Sequence, residues 1–244
     1  MERADRAPVG TFYAPGAWSG RVELDDSAAH HAAVKRLAVG DVVRLTSGDG
    51  RRALGTIAHL AKHHLGVELD GVVEDVVRPP RIELWTPVGD RDRMLLFAEK
   101  AVELGATAWR PILFARSRSV SHRGEGEGFR EKMRLRQISA LEQCGSAWLP
   151  ETSVETTLDD AVGTPDPKAH SRLLLDASGE PLRAVLHSLD APVQIALGPE
   201  GGLEDGERAT FIRTGWRPVS LGANVLRFET AGIAALAIAR SHLP

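Results

Sequence analysis

Cysteine is all but absent: Cys144 is the only one in 244 residues. That excludes a disulfide framework and any cysteine-rich metal site. Long apolar runs are missing too. The best candidate, Ala231 to Ala239, is half the roughly 18 residues that a membrane helix needs. The opening MERADRAPVG has no apolar centre of a signal peptide, so a soluble, cytoplasmic chain is expected. Charge of one sign is not in excess. A formal net charge of -3 gives nucleic-acid binding no support at the level of the whole chain, so that function must rest on local charge. There is no internal repeat and no low-complexity tract. What is present is ordinary for a globular protein: 43% hydrophobic and 26% charged residues, with 24 Gly and 14 Pro. This rules out disordered, collagen-like and coiled-coil chains. The length suits one large or two modest domains.

Residues 1–77 read as all-β. Asp41–Thr46 and Leu65–Asp70 alternate or nearly alternate apolar and polar residues, and Gly48-Asp49-Gly50 and Asp70-Gly71 supply turns. One helix interrupts them, with Asp26-Ser27 as N-cap, a body of Ala28–Leu37 and Gly40 as its close. Short strands with one helix suggest a small barrel. Arg78-Pro79-Pro80-Arg81 is a stiff linker.

From residue 81 to 244 strands alternate with helices. Strands are expected at Ile82–Thr86, Trp109–Phe114, Leu173–Asp176, Val193–Leu197 and Pro218–Leu221. Helices are expected at Asp92–Leu104, Phe129–Gln143, Asp205–Arg213 and Glu229–Arg240. This rhythm predicts a parallel α/β sheet with helices on both faces.

Ligands of such sheets collect at the carboxyl ends of strands. Three ends carry turning residues: Leu175–Gly179, Leu197–Gly202 and Leu221–Leu226. In the second, Gly198-Pro199-Glu200-Gly201-Gly202 lets backbone approach a ligand without Cβ atoms in the way. It has neither the Gly-Lys-Ser/Thr of a phosphate loop nor the dinucleotide G-x-G-x-x-G. The plain alternative is a turn feeding the helix at Asp205. The third loop runs into Arg227-Phe228-Glu229-Thr230-Ala231. Glu229 and Thr230 can be simple caps, whereas Arg227, beside a closing helix that must be buried, belongs at a cleft or interface.

Between Arg110 and Arg136 stand eight basic residues against three glutamates, a local charge of +5. An arginine-dominated run suits phosphate. Lys35-Arg36, after His30-His31, is a second basic cluster, and two such sites could grip one extended polyanion. His59, His63 and His64 lack the glutamate-containing pattern of a zinc protease, so no metal is expected. Cys144 reads as a packed small residue and not as a nucleophile.

Leu197-Gly-Pro-Glu-Gly-Gly202, Leu221-Gly222 and Leu226-Arg227-x-Glu229-Thr230-Ala231 together resemble the signature of the RsmE family, 16S ribosomal RNA methyltransferases of the SPOUT class. Nearly the whole chain takes part. Lys100–Gly105 with Pro111 and Arg116 resembles the first α/β segment, and Ala140–Gly145 with Pro150 the next. His30–Arg36 with Gly40-Asp41 resembles the N-terminal barrel. The resemblance implies a PUA-like RNA-binding β-barrel domain over 1–77 and a SPOUT α/β domain with a C-terminal trefoil knot over 81–244. It implies a homodimer, for which the apolar closing helix is a plausible interface, and S-adenosylmethionine as methyl donor. The acceptor implied is N3 of one uridine in 16S rRNA, within the 30S subunit. In that reading Leu175, Leu197, Gly198, Pro199, Glu200, Gly201, Leu221, Gly222, Leu226 and Thr230 hold the cofactor. Arg227 stabilises the developing oxyanion, Glu229 acts as base or orienter, and Arg36, Arg116 and Arg118 contact RNA.

The chain departs from the family pattern at five positions. Ser146 and Trp148 stand where relatives commonly carry arginine, Ala223-Asn224 where they show Pro-Arg, and Phe228 where they have threonine. Trp148 could instead stack on a base. These departures keep a second function in view, a non-catalytic ribosome-assembly factor with the same fold. A third is an unrelated small-molecule enzyme whose basic segment is incidental.

Overall fold

The computed structural model describes residues 7–117, 126–164 and 171–243. They form two compact units. The first is Met1–Arg78 together with Ile138–Leu149, and the second is Pro79–Gln137 with Pro150–Pro244. The first unit thus takes in a segment that the strand–helix rhythm alone assigns to the second.

In the first unit, β1 (Thr11–Tyr13), β2 (Arg21–Leu24), β3 (Val42–Thr46), β4 (Arg51–Ala61) and β5 (His64–Asp75) form one sheet in the order β1-β3-β4-β5-β2. The β1–β3 pair is parallel and the others are antiparallel. In β4 the buried residues Ala53, Gly55 and Ile57 follow the period of two that sends alternate side chains to one face. Of these, Ile57 joins a core that includes Phe12, Leu45, Leu65 and Val67. The helix α1 (Asp26–Val34) is capped by Asp25, whose carboxylate accepts from the Ala28 amide at 3.1 Å. The cap is therefore one residue earlier than the expected Asp26-Ser27. The helix also stops earlier than Leu37, because Arg36 has φ +56°, a left-handed geometry that ends a helical run.

Residues 138–149 belong to this unit through specific bonds. Glu142 accepts from the Tyr13 amide at 2.8 Å and pairs with His31 Nδ1 at 3.0 Å. Trp148 Nε1 donates to the Val76 carbonyl at 3.2 Å. Its ring lies against Gly50, where a Cβ would sit 2.3 Å from Cζ2, and the Arg78 guanidinium lies 5.2 Å from its centroid. These contacts give the tryptophan at this position a packing role. Cys144, expected to be packed, is exposed.

The second unit holds β6 (Ile82–Pro87), β7 (Ala108–Leu113), β8 (Glu151–Thr152), β9 (Thr156–Thr157), β10 (Ser171–Pro181), β11 (Val193–Leu197) and β12 (Arg217–Ser220). Their order is β12-β10-β11-β6-β7-β8, with β9 also on β7, and every pair is parallel. The central β6 and β11 are buried along their whole length, as expected for strands covered on both faces. The remaining helices are α2 (Arg91–Glu103), α3 (Glu127–Cys144, whose residues from Ile138 on belong to the first unit), α4 (Leu158–Gly163), α5 (Leu182–Val185), α6 (Asp205–Arg213) and α7 (Phe228–His242). Alternate strand residues feed two cores. Ile82, Leu84, Leu173 and Ile195 meet Phe97 of α2 and Leu236 of α7, while Trp85, Leu174 and Ala196 meet Phe211 and Trp216.

A polar row crosses this sheet. Glu83, 2% exposed, accepts from Arg110 Nε and from Gln194 Nε2, each at 3.0 Å. Removing one partner of such a buried pair costs about 3–5 kcal/mol. Arg110 also lies 5.1 Å from the centroid of Trp85, and Arg130 pairs with Glu155 at 3.2 Å. Part of the basic segment expected to meet phosphate is thus engaged inside the fold. Among the described residues no helix is long and apolar enough to cross a membrane.

Candidate active-site cleft

Leu175–Gly179, expected as a strand-end loop, instead lies inside β10 as a bulge; this bulge and the loops at the carboxyl ends of β11 and β12 border a cleft of about 660 Å³ within the second unit. Its apolar walls include Leu175, Leu197, Leu221 and Leu226, and Gly198, Pro199, Glu200, Gly222 and Arg227 also line it. Gly201, Glu229 and Thr230 are not among the lining residues.

The β10 wall is shaped by a bulge. Leu175 pairs with Val219 of β12, and so does Glu180, so the four residues between them are displaced from the ladder. Gly179 makes this possible. A Cβ there would lie 2.4 Å from the Val219 amide nitrogen and 2.5 Å from the Pro218 carbonyl carbon. Bulges re-aim side chains, and this one presents Asp176 and Ala177 to the cleft. Asp176 Oδ1 accepts from the Ser178 amide at 2.8 Å and from the Ser178 hydroxyl at 2.7 Å. Its Oδ2 accepts from Arg208 Nε at 2.7 Å, and Arg208 Nη2 reaches Ser178 Oγ at 3.1 Å. Burial would raise the Asp176 pKa, but the bonds from Ser178 and Arg208 outweigh it and hold the carboxyl below the usual range.

Among the described residues, three guanidinium groups line the cleft: those of Arg93, Arg208 and Arg227. Arg93 forms an ion pair with Glu200, and Arg208 pairs with Asp176. Arg227 is exposed and occupies the N-cap position of α7 without a side-chain capping bond. Neither Glu229 nor Thr230 is therefore the cap. Glu229 lies in the first helical turn, 5% exposed, with Oε2 buried and without a hydrogen-bond partner among the described residues. The positive end of the helix dipole favours an anion there. Thr230 is exposed. Phe228 is buried in the core and still borders the cleft, which gives the aromatic a packing reason where a threonine was expected.

Arg116 is in direct contact with the glycine-rich loop. Its Nη1 donates to the Gly201 carbonyl at 3.2 Å, with Nε 3.8 Å from Glu204. Arg36 lies in the first unit, and Arg118 falls outside the described residues. Sequence reasoning missed Arg93, Asp176 and Arg208 as cleft residues. Asp176 was visible as part of a strand-end loop, but Arg208 is 32 residues away on α6 and carries no local signal.

An RNA methyltransferase domain model matches residues 77–240, and an RNA methyltransferase PUA domain model matches residues 24–70. The chain is 31% identical to the ribosomal RNA small subunit methyltransferase E of Synechocystis over 84% of its length and 67% of that protein. It is 28% identical to the protein of the same name in Rickettsia conorii, over 90% of this chain and 89% of the relative. Two solved structures share the architecture. A ribosomal RNA small subunit methyltransferase E of Neisseria gonorrhoeae, bound to S-adenosyl methionine, gives a TM-score of 0.84 at 27% identity, covering 95% of this chain and 97% of that one. A Legionella pneumophila methyltransferase with bound SAM gives 0.85 at 28%, covering 97% and 98%. Strand-end loops around one cleft, a family match through that cleft and relatives across both units place the chain in the ribosomal RNA small subunit methyltransferase E family.

Proposed function

We propose that this chain transfers the methyl group of S-adenosylmethionine to N3 of a uridine in 16S rRNA, acting on the 30S subunit. The observation that carries this reading is the cleft made by the β10 bulge and the loops after the adjacent parallel strands β11 and β12. Its volume, about 660 Å³, lies within the usual range for small-molecule sites of about 300–1,000 Å³. Leucine walls suit an adenine ring, and the glycines Gly198 and Gly222 bring backbone groups within reach of its edge. When bound, the sulfonium supplies an electrophilic methyl carbon. The chain's own contribution is alignment for an in-line displacement and disposal of the uridine N3 proton.

Arg227, which is exposed, lines the cleft and has no carboxylate partner among the described residues, is proposed to stabilise negative charge on the uracil oxygens as that proton leaves. Glu229 is proposed as an orienter of the α7 terminus, because it is buried and does not line the cleft. Glu229→Gln is expected to keep cofactor affinity within about threefold and to leave the pH profile of methyl transfer unchanged. A loss of 100-fold or more, together with loss of the profile's acidic limb, would assign it the role of base.

Gly201 and Thr230 are proposed to shape the cofactor loops from behind the lining residues. Arg36, Arg116 and Arg118 are proposed RNA contacts, with the first unit acting as a PUA-like, barrel-type RNA-binding domain. We also propose a trefoil knot in the loops after β11 and β12, a homodimer through α7, and a cytoplasmic setting.

The decisive experiment is calorimetric titration with S-adenosylmethionine, followed by labelled-methyl transfer to undermodified 30S subunits. One site per chain is expected, weakened at least tenfold by Leu226→Asp, which puts a charge on an apolar wall. Binding of 30S without methyl transfer would favour the assembly-factor reading, which the departures at Ser146, Ala223 and Asn224 keep in view.

A further inference from the structure

We infer that Asp176, held by Ser178 and Arg208, is the acceptor for the ribose diol of the bound methyl donor, and that it gives this chain a preference for ribonucleoside ligands. The inference rests on the cofactor reading above. A carboxylate offers about four lone-pair directions. Three are taken: two on Oδ1 by Ser178 and one on Oδ2 by Arg208. One acceptor direction remains on Oδ2, on a side chain that lines the cleft and is 18% exposed.

The orientation of this carboxylate is set in advance. The bulge between Leu175 and Glu180 displaces it from the ladder, Gly179 holds the bulge against β12, and two neighbours fix both oxygens. A ligand hydroxyl therefore meets an ordered acceptor and spends little on ordering it.

The neighbouring guanidinium selects among ligand groups. Arg208 also lines the cleft, so donor and acceptor stand side by side. A hydroxyl can donate to Asp176 and accept from Arg208 at once. An ammonium has no acceptor and would sit beside a positive charge, while a carboxylate has no proton to give. The amino edge of adenine has the right polarity, but Ala177 and Ser178 next to Asp176 are exposed. A purine docked there would leave apolar ring surface in water while the leucine walls stood empty.

Calorimetry with S-adenosylhomocysteine and its 2′-deoxy and 3′-deoxy analogues tests this. The unaltered chain should bind S-adenosylhomocysteine about tenfold or more tightly than at least one deoxy analogue, as expected for loss of a bond to a charged acceptor. Asp176→Ala should bind all three within about twofold of one another. Asp176→Asn keeps the side-chain volume and should reduce the preference below about threefold, so the comparison survives even where alanine loosens the bulge. An undiminished diol preference in both variants overturns the inference while leaving cofactor binding intact, as would be found if the adenine edge or another group met Asp176. Failure of the unaltered chain to bind S-adenosylhomocysteine overturns the cofactor reading, and this inference with it.

Discussion

Gly179→Ala is expected to cost about 3 kcal/mol of stability and to weaken S-adenosylmethionine binding at least tenfold. The atoms in the way are backbone atoms of β12, with the Val219 nitrogen at 2.4 Å, the Pro218 carbonyl carbon at 2.5 Å and the Pro218 oxygen at 2.7 Å from the added carbon. Backbone in a paired strand cannot rotate aside as a side chain can. The added methyl must push β10 and β12 apart, and those two strands carry the bulge and one of the loops that border the cleft. Glycine inside a strand often marks such a close approach. In a chain of this size the cost should lower the melting temperature by about 6–12 °C. Gly206→Ala is the control. It lies near the start of α6 with nothing within 4 Å of its Cβ position, and alanine there should stabilise slightly. Equal melting temperatures for Gly179→Ala and the unaltered chain would show that the bulge tolerates a side chain.

Arg227→Ala should slow methyl transfer by about 100- to 1,000-fold, the range seen when one preorganised donor to developing negative charge is removed. Cofactor affinity should stay within about threefold, because the apolar walls and glycine loops that hold the ligand do not depend on this guanidinium. Arg93 and Arg208 cannot substitute, since Glu200 and Asp176 already engage them. Arg227→Lys keeps the charge and loses the planar fork, so it should recover part of the rate. Single-turnover transfer to undermodified 30S subunits is the measurement. If alanine raised KM for RNA with kcat unchanged, Arg227 would be an RNA-binding residue and not a stabiliser of the reacting base.

The parallel sheet was legible because its central strands are buried on both faces. Ile82–Thr86 and Val193–Leu197 are short and mostly apolar, broken by Glu83, Thr86 and Gln194, and the structure has strands at both. Leu175, Leu197, Leu221 and Leu226 were legible for the same reason, since strand ends that close on glycines announce where loops gather. Local signals failed where a contact joins distant residues. The carboxylate of Asp176 and the guanidinium of Arg208 meet only because β10 and α6 border one cleft. The basic segment misled in part, because counting charges cannot distinguish Arg110, committed to buried Glu83, from an arginine that faces solvent. The register shifts between β4 and β5, with extra residues in β5 after Ala53/Val73 and one in β4 between Ile57 and His59, blur the alternation on which strand recognition depends. Helix ends moved by a residue or more, as at α1, because a cap is decided by geometry at Asp25 and Arg36 and not by composition.

The division of the chain also sets a timetable for its synthesis. The first unit contains Ile138–Leu149 as well as everything up to Arg78, so the polypeptide leaves that unit, builds part of the second, and returns. On the ribosome, residues 138–149 emerge roughly 60–70 residues after Arg78, a delay of several seconds at ordinary elongation rates. Until then Glu142 is missing from His31 and the Tyr13 amide, and Trp148 is missing from Gly50 and Val76. The N-terminal strands therefore wait, incomplete, for a piece encoded well downstream, and the two units cannot be inherited as separate cassettes joined at the Pro79-Pro80 linker.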